Sequence, residues 1–357
     1  MRRAALLTLL TLLAGCNLTG PTALRDGRQE YNLAIQQTQN EQLLLNLVRL
    51  RYLDTPQFLE IGSVTANYTF EAGVGASASL SDRNAVRVNN GFGANARVGW
   101  VERPTITMQP LQGERFVTQM LTPIPLDTLL LLVHSGWSIE RVLRVCVQHV
   151  GGVPNAPTAA GPTPSVAPEF REFQRLAALL RRLQLARGFD LGLEGEEGKR
   201  ELVLRLTEHA ADEDAAELRA LLGQAPDARR LVLVPSLTRG APGRVGIGTR
   251  SLMGALFYLS QGVQVPDEDL DLITVTRAPS GARFAWDDVL GGLFRVSVDE
   301  VPEGGAAVGV CYRGRDFYLS DRDVSTKATF ALLQQLVALQ AGNVHGSAPV
   351  LTIAVGG

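Results

Sequence analysis

The sequence predicts an α+β protein, because segments with helical periodicity and strand-like segments follow one another in no regular order. Apolar residues make up 45% of the 357-residue chain and charged residues 20%, which is typical of a globular protein. One segment near the N-terminus alternates between apolar and polar residues over an unusual length. We therefore expect an N-terminal helix, a long amphipathic β-hairpin, a helical segment, a Pro-rich linker and a C-terminal α+β domain, in that order.

The N-terminus has the three parts of a secretory signal peptide. Two arginines follow the initial methionine, residues 4–13 are apolar, and Ala14-Gly15 stand directly before Cys16. Signal peptides carry positive charge, an apolar run and small residues in this order. The apolar run is too short for a transmembrane helix, which needs about 20 residues. We expect residues 1–15 to be removed on export.

The residues Leu13-Ala14-Gly15-Cys16 resemble the lipobox of bacterial lipoproteins. The resemblance implies that Cys16 is acylated with chains such as palmitate, and that residues 16–24 form a lipidated tether. Several acyl chains hold a protein stably to a membrane, whereas one chain holds it only marginally. Asn17 stands where inner-membrane retention signals carry Asp, which favours the outer membrane, with the bulk of the chain facing the periplasm. An ordinary signal peptide with a chance cysteine is the alternative.

Residues 25–150 are predicted to form a helical domain that carries the hairpin. Apolar residues recur at helical spacing over residues 26–52. A second helical block, over residues 113–150, is predicted to contain helices at 126–134 and 139–150.

A Pro-rich segment, residues 151–168, is predicted to be a semi-rigid linker or an exposed loop. Residues 169–357 then form the C-terminal α+β domain. Helices are predicted at 169–187, 212–222, 251–261 and 326–340, and strands at 201–206, 231–234, 294–298 and 307–312. Thr249 is expected to cap the third of these helices.

A hairpin is predicted over residues 64–109, and its pattern is the main indication of function in the sequence. Even-numbered positions are apolar from Val64 to Leu80, and the same parity returns at Phe92 and continues to Trp100. A period of two places one set of residues on each face of a strand. Turn residues lie at both 81–84 and 89–91, so the sequence leaves the tip open. The apolar face is expected to contain Val64, Ala66, Tyr68, Phe70, Ala72, Val74, Ala76, Phe92, Ala94, Val98 and Trp100.

The length of this pattern separates two interpretations of the hairpin. A strand in a globular protein usually has about five or six residues. The first arm, residues 64–80, extends about 55 Å at roughly 3.3 Å per residue, which is more than the apolar band of about 25 Å in an outer-membrane barrel. One hairpin cannot close a barrel, since about eight strands is the smallest number seen. At least about four copies would have to share it.

This arrangement resembles that of the lipoprotein exporters of curli, in which each subunit donates strands or helices to a shared pore. The resemblance implies a homo-oligomer that acts as an export or channel component. The alternative is a scaffold without a pore, which binds envelope proteins or glycan and uses the hairpin as a dimer-forming arm or as a cover over a soluble core. The sequence names no cargo, partner or ring size.

Three further stretches resemble parts of uncharacterised proteobacterial lipoproteins. They are Asn40-Glu41-Gln42-Leu43-Leu44-Leu45-Asn46, Arg49-Leu50-Arg51-Tyr52 and Glu102-Arg103-Pro104-Thr105-Ile106-Thr107. The resemblance implies a cell-envelope location and no activity.

The sequence nominates no catalytic residue, no metal ligand and no cofactor. A formal net charge of −2 gives no reason to expect nucleic acid as a partner. The pattern Gly246-x-Gly248-x-x-Ser251 echoes a dinucleotide loop, but we interpret it as a capped turn. Asp321-Arg322-Asp323 is interpreted as a charged turn and helix cap rather than an acid–base pair. We therefore expect a protein that is not an enzyme.

The histidines and the two later cysteines are given structural roles. His134 and His149 are expected near helix C-termini, where they complement the helix dipole. Cys146 and Cys311 are expected to be small buried hydrophobes. An exported protein can also form disulfides, and the sequence leaves open whether these two are bonded.

Overall fold

The computed structural model describes residues 19–79, 91–196, 198, 200–236, 238 and 240–342. Cys16, the signal peptide and the hairpin tip lie outside these residues. For residues 19–28, 62–79, 91–104 and 341–342 it describes the backbone only. The described chain divides into two units: a main unit (residues 19–57 and 112–342) and a ribbon (residues 58–79 and 91–111). Helices and sheets occur together, which confirms the α+β class.

The first helix, α1 (Thr19–Arg51), begins earlier than the sequence predicts and ends at the predicted place. Its C-terminal half is anchored in the core, since Leu44, Leu47 and Val48 are fully buried. This apolar stripe follows the i, i+3, i+4 spacing of an amphipathic helix. The last turn carries Arg49 and Arg51, whose positive charge suits a helix C-terminus.

The remaining helices of the main unit match most of the predicted segments. Those expected at 126–134 and 212–222 have the predicted bounds, and those at 169–187, 251–261 and 326–340 differ by a few residues at most. The helices are α2 (Gly113–Phe116), α3 (Leu126–His134), α4 (Ile139–Cys146), α5 (Arg171–Leu185), α6 (Asp212–Leu222), α7 (Leu252–Ser260), α8 (Asp287–Leu290) and α9 (Val324–Gly342). A π-helical turn (Val117–Leu121) and two 3₁₀ turns (Pro157–Ala160 and Asp267–Leu272) complete them.

Two sheets complete the main unit. A six-stranded sheet has the order β4-β3-β8-β7-β6-β5, and β7 and β8 are its parallel pair. Its strands are β3 (Val147–Val150), β4 (Val153–Pro154), β5 (Phe189–Glu194), β6 (Glu201–Leu206), β7 (Arg230–Pro235) and β8 (Arg244–Thr249). A three-stranded sheet has the order β10-β11-β9, with β9 (Ser297–Val298), β10 (Ala306–Tyr312) and β11 (Arg315–Ser320).

One predicted helix is wrong in its second half. The segment expected to be helical over residues 139–150 leaves the helix at Cys146 and continues as β3. β-branched Val147 and Val150 are good strand formers, and β3 pairs with β8 inside the larger sheet. His149 therefore lies in a strand that follows the helix and not in the last turn of the helix, which corrects its expected position. His134, by contrast, is the last residue of α3, as predicted.

The glycines of β8 are explained by close packing. A Cβ atom on Gly248 would lie 2.0 Å from the His149 ring, and one on Gly246 would lie 2.0 Å from the Thr238 carbonyl oxygen. Real Cβ atoms do not approach other atoms this closely, so a side chain at position 246 would clash with backbone and one at position 248 would displace the His149 ring. The dinucleotide-like spacing therefore follows from sheet packing.

The helix after β8 is capped by Ser251 and not, as predicted, by Thr249. Ser251 Oγ accepts a hydrogen bond from the Gly254 backbone nitrogen at 3.1 Å. At the start of α9, Asp323 Oδ1 accepts from the Thr326 nitrogen at 3.0 Å, which confirms the predicted cap.

Removing the Ser251 cap should weaken the main unit by a small, measurable amount. We expect Ser251→Ala to lower the free energy of unfolding by about 1 kcal/mol, the usual cost of losing a serine cap. Chemical denaturation of the variant beside the wild-type protein measures the loss. Thr249→Val, which removes the hydroxyl first expected to cap, is the matched control and should cost less. Equal losses at both positions would contradict the assignment.

Residues 151–168 are not a linker between two domains. The chain before and after them belongs to the same unit, and Ala156 and Ala159 are fully buried. Asn155 is also buried, and its Nδ2 donates to the carbonyl oxygens of Arg144 and Val147 at 3.0 and 2.6 Å. These bonds attach the segment to the end of α4. The Pro-rich segment is therefore an ordered, turn-rich part of the main unit.

The two later cysteines are both unpaired in the described chain. Cys146 is fully buried, as predicted. Cys311 is exposed, which corrects the expectation that it is a buried hydrophobe. In β10 the odd-numbered positions 307, 309 and 311 are exposed, because alternate residues of a strand point to opposite faces.

A buried arginine, Arg250, joins α4 to the sheet. It is fully buried, and its guanidinium donates to the carbonyl oxygens of Arg144, Val145 and Val147 at 2.7–3.1 Å and to that of Asn155. Its guanidinium carbon also lies 3.9 Å from the centre of the Tyr258 ring. Carbonyls at a helix C-terminus lack intrahelical donors, so Arg250 satisfies the end of α4.

Candidate functional site

The ribbon consists of two antiparallel strands, β1 (Leu59–Ser79) and β2 (Gly91–Pro110). They contain 21 and 20 residues and begin and end slightly beyond the predicted range of 64–109. The register is continuous from the Ser63–Thr107 pair to the Ser79–Gly91 pair, with one irregularity between Ile61 and Ser63. At roughly 3.3 Å per residue such a strand extends about 65–70 Å.

The register brings the predicted apolar positions of both strands together. Cross-strand partners share one face of an antiparallel pair, and even-numbered positions of β1 pair with even-numbered positions of β2. The pairs are Val64–Ile106, Ala66–Pro104, Tyr68–Glu102, Phe70–Trp100, Ala72–Val98, Val74–Ala96, Ala76–Ala94 and Ala78–Phe92. All eleven residues predicted for the apolar face therefore occupy register positions on a single face.

The apolar positions of this face are uninterrupted over only part of the length of the ribbon. Beyond the Phe70–Trp100 pair, Glu102 and Pro104 enter the apolar positions. Between that pair and Ala78–Phe92, each strand contributes nine residues without an interruption. A strand that crosses a bilayer needs about 9–11 residues when tilted. Aromatic residues stand at both ends of the stretch, as they do in the interfacial girdles of outer-membrane strands.

The ribbon is also a sheet of two strands with two open edges. Within the described chain, β1 and β2 form a sheet of their own. Long edge strands are ready templates for pairing with other chains, and soluble proteins usually shorten or protect them. The base of the ribbon is closed by a hydrogen bond from the Leu111 nitrogen to the Phe58 carbonyl oxygen at 2.9 Å.

A second feature of interest is a cavity of about 470 Å³ in the main unit. The last residue of α1, Arg51, lines it together with residues that follow α7 and residues of the segment before α8. Arg51 is 5% exposed, and its Nη1 donates to Gln261 Oε1 at 2.9 Å and to the Thr274 carbonyl oxygen at 3.4 Å. Its Nε is buried without a partner in the described chain.

The electrostatics of Arg51 reflect this placement. Burial, together with the nearby positive charge of Arg283, lowers the pKa of the Arg51 guanidinium to about 10. Arg51 remains charged at neutral pH, and in the described chain no carboxylate forms an ion pair with it. Arg283 lies on the cavity lining, is about half exposed and approaches Asp267 Oδ1 at 3.5 Å.

An aromatic wall faces part of the same cavity. The rings of Phe284 and Trp286 pack edge to face, with centres 5.4 Å apart. Trp286 Nε1 donates to Thr276 Oγ1 at 3.0 Å, and this threonine donates in turn to the Pro164 carbonyl oxygen. These bonds orient the indole of Trp286. The Asp287 carboxylate also belongs to the lining.

Polar contacts next to Arg51 hold the end of α1 in place. Tyr52 Oη donates to Asp269 Oδ2 at 2.7 Å, and burial raises the pKa of the Tyr52 hydroxyl. Asp54 accepts hydrogen bonds from Tyr312 Oη and from Arg313, which lower the pKa of the Asp54 carboxyl. These contacts hold the chain directly after Arg51 in place.

Arg51 lies in one of the stretches that resemble uncharacterised lipoproteins, but the sequence alone assigned it no role. A usable signal was present, because Leu44, Leu47, Val48 and Arg51 follow the spacing of one helix face. An arginine on an apolar stripe is a buried cation, and such residues require a compensating partner.

The His, Cys, Asp and Glu side chains of the described chain form no group of three or more that could hold a metal ion.

In the part of the chain that the structure describes, no helix combines the length and apolar character needed to cross a membrane.

Comparison with protein-family models, with curated proteins and with solved structures gave no match.

Proposed function

We propose that this protein is a lipid-anchored component of the cell envelope whose copies assemble through their ribbons. The ribbons would together close a shared outer-membrane barrel, and the assembly would act as an export or channel component. Acyl chains on Cys16 would hold each copy to the membrane, with the main unit facing the periplasm. The copies are partners of one another, and other envelope proteins are further candidate partners.

The observation that carries this proposal is the match between the two strands of the ribbon. Over a stretch of nine residues in each strand, every position on one face is apolar and is paired with an apolar position of the other strand. Aromatic residues stand at both ends of this stretch. This length agrees with the roughly 25 Å apolar band of an outer-membrane barrel when the strands tilt by about 40°. The whole strands, of 21 and 20 residues, are also much longer than the five or six residues usual in a globular protein.

The open edges support assembly rather than a solitary ribbon. A two-stranded sheet in lipid would leave backbone N–H and C=O groups without hydrogen-bond partners, at a cost of several kcal/mol for each group. Pairing each edge with the edge of another copy removes that cost. The alanine content of the face lowers the apolar area buried per residue, so edge pairing has to supply part of the stability.

The first test is the size of the protein extracted in mild detergent. We expect rings or large oligomers of the wild-type protein on native gels and in negative-stain electron microscopy. A variant that lacks residues 64–108, with a short Gly/Ser turn in their place, should run as a monomer. Its main unit should remain folded, because the base of the ribbon brings the two cut ends together.

A second variant, Cys16→Ser, separates anchoring from assembly. It removes the acylation site and keeps the ribbon, so it should leave the membrane fraction more readily while retaining its capacity to form oligomers in detergent. A monomer or dimer for both the wild-type protein and the deletion variant would overturn the barrel. Such a result would favour the scaffold without a pore, which binds envelope proteins or glycan.

A further inference from the structure

We propose that the cavity at the end of α1 binds a small organic carboxylate, with Arg51 holding the carboxylate and the Phe284–Trp286 wall holding an apolar or aryl body. The site lies within the main unit and does not depend on the proposed role of the ribbon.

The first argument is the incomplete hydrogen bonding of a buried cation. A charged group that leaves water without an ionic or fully hydrogen-bonded partner is costly. Arg51 has one short hydrogen bond, to an uncharged amide, and one long bond to a carbonyl, and its Nε has no partner in the described chain. A guanidinium offers two parallel N–H groups that match the two oxygens of a carboxylate.

Arg250 provides an internal comparison. It is buried as well, has no carboxylate partner in the described chain, and its Nε likewise lacks a hydrogen-bond partner there, but four carbonyl oxygens and the face of the Tyr258 ring surround its guanidinium. Arg250 therefore has four acceptors within the protein, whereas Arg51 has two. Arg51 instead lines a cavity with room for a ligand, so the two arginines have different roles.

The rest of the lining indicates the kind of ligand. A volume of about 470 Å³ lies in the range of small-molecule sites, roughly 300–1,000 Å³. Arg283 adds positive charge to the lining and Asp287 adds negative charge, so a ligand with a single negative charge fits better than a multiply charged one. The two aromatic rings present an apolar surface beside the charge.

Phenylacetate is a suitable probe because it joins one carboxylate to one aromatic ring. In isothermal titration of the full-length protein in detergent, we expect millimolar binding of phenylacetate. Acetate should bind more weakly because it lacks the ring. The neutral analogue 2-phenylethanol should not bind measurably, because it offers no charge to Arg51.

Three variants locate the binding. Arg51→Gln should weaken phenylacetate binding by about tenfold or more, as expected for losing a charged hydrogen-bonding partner. Arg283→Gln changes a half-exposed residue of the lining, leaves the fold intact and should weaken binding severalfold. Arg322→Gln removes an exposed arginine whose Nη1 lies 2.9 Å from Glu303 Oε1. Neither residue belongs to the cavity lining, so this variant should leave binding unchanged.

Several results would overturn the proposal. One is no binding of phenylacetate at tens of millimolar by the folded wild-type protein. Equal binding of 2-phenylethanol, or tighter binding of inorganic phosphate, would also reject a carboxylate site with an aromatic wall. Equal weakening by Arg322→Gln and Arg283→Gln would show that binding depends on net charge alone. The Arg283 variant keeps the test decisive if Arg51→Gln fails to fold.

Discussion

Replacing Ala76 with arginine should abolish the large oligomers. Ala76 pairs with Ala94 inside the uninterrupted apolar stretch, so the substituted position lies on the lipid-facing side of the proposed barrel. An arginine costs about 2–4 kcal/mol at the middle of the bilayer and less towards its interfaces, and Ala76–Ala94 is the pair next to the central Val74–Ala96 pair on this face. Every copy carries the change, so the cost is multiplied by at least about four in a closed ring. Native gels and negative-stain microscopy of the extracted variant measure the result.

The adjacent residue gives a matched control. Ser77 has the opposite parity and pairs with Gly93, so in a barrel it occupies the watery side. Ser77→Arg adds the same charge one residue away and should leave the oligomers intact, although it would alter ion selectivity in a conducting assembly. If both arginines disrupt the oligomers, or neither does, the apolar face is not in contact with lipid.

Replacing Arg250 with methionine should strongly destabilise the main unit. Methionine retains part of the side-chain volume but removes every donor, so the Val145 and Asn155 carbonyl oxygens lose the guanidinium that reaches them. Each buried polar group left without a partner costs about 1–3 kcal/mol. With the loss of the contact to the Tyr258 ring, we expect a total of at least about 3 kcal/mol. Urea denaturation followed by circular dichroism measures it.

An exposed arginine on α5 serves as the comparison. The Arg175 side chain is 68% exposed and pairs with Glu217 on the surface. Surface ion pairs contribute about 0–1 kcal/mol, so Arg175→Met should cost less than 1 kcal/mol. A similar small loss for Arg250→Met would mean that water or neighbouring donors replace the guanidinium.

The ribbon and most helices could be predicted from the sequence because their signals are local. The alternation from Val64 to Leu80 fixes which residues share a face, whatever the rest of the chain does. The helix over 212–222 has acidic residues in its first turn and a glycine directly after it, both of which mark helix ends. Signals of this kind do not depend on distant contacts.

The features that could not be predicted from the sequence depend on contacts between residues far apart in the chain. Gly246 and Gly248 lower the strand propensity of β8, yet a side chain at either position would meet His149 or the chain near Thr238. The Pro-rich segment looked like a linker because composition does not reveal that Asn155 is fastened to the end of α4. Arg51 looked like an ordinary charged residue because nothing local reports the cavity beside it.

The closed base of the ribbon separates its length from its attachment. Its two ends meet at the hydrogen bond between the Leu111 nitrogen and the Phe58 carbonyl oxygen, so the chain enters and leaves the ribbon at neighbouring points. Adjacent strands lie only about 4.8 Å apart whatever their length. A longer or shorter pair of strands would therefore keep the same spacing between the two ends.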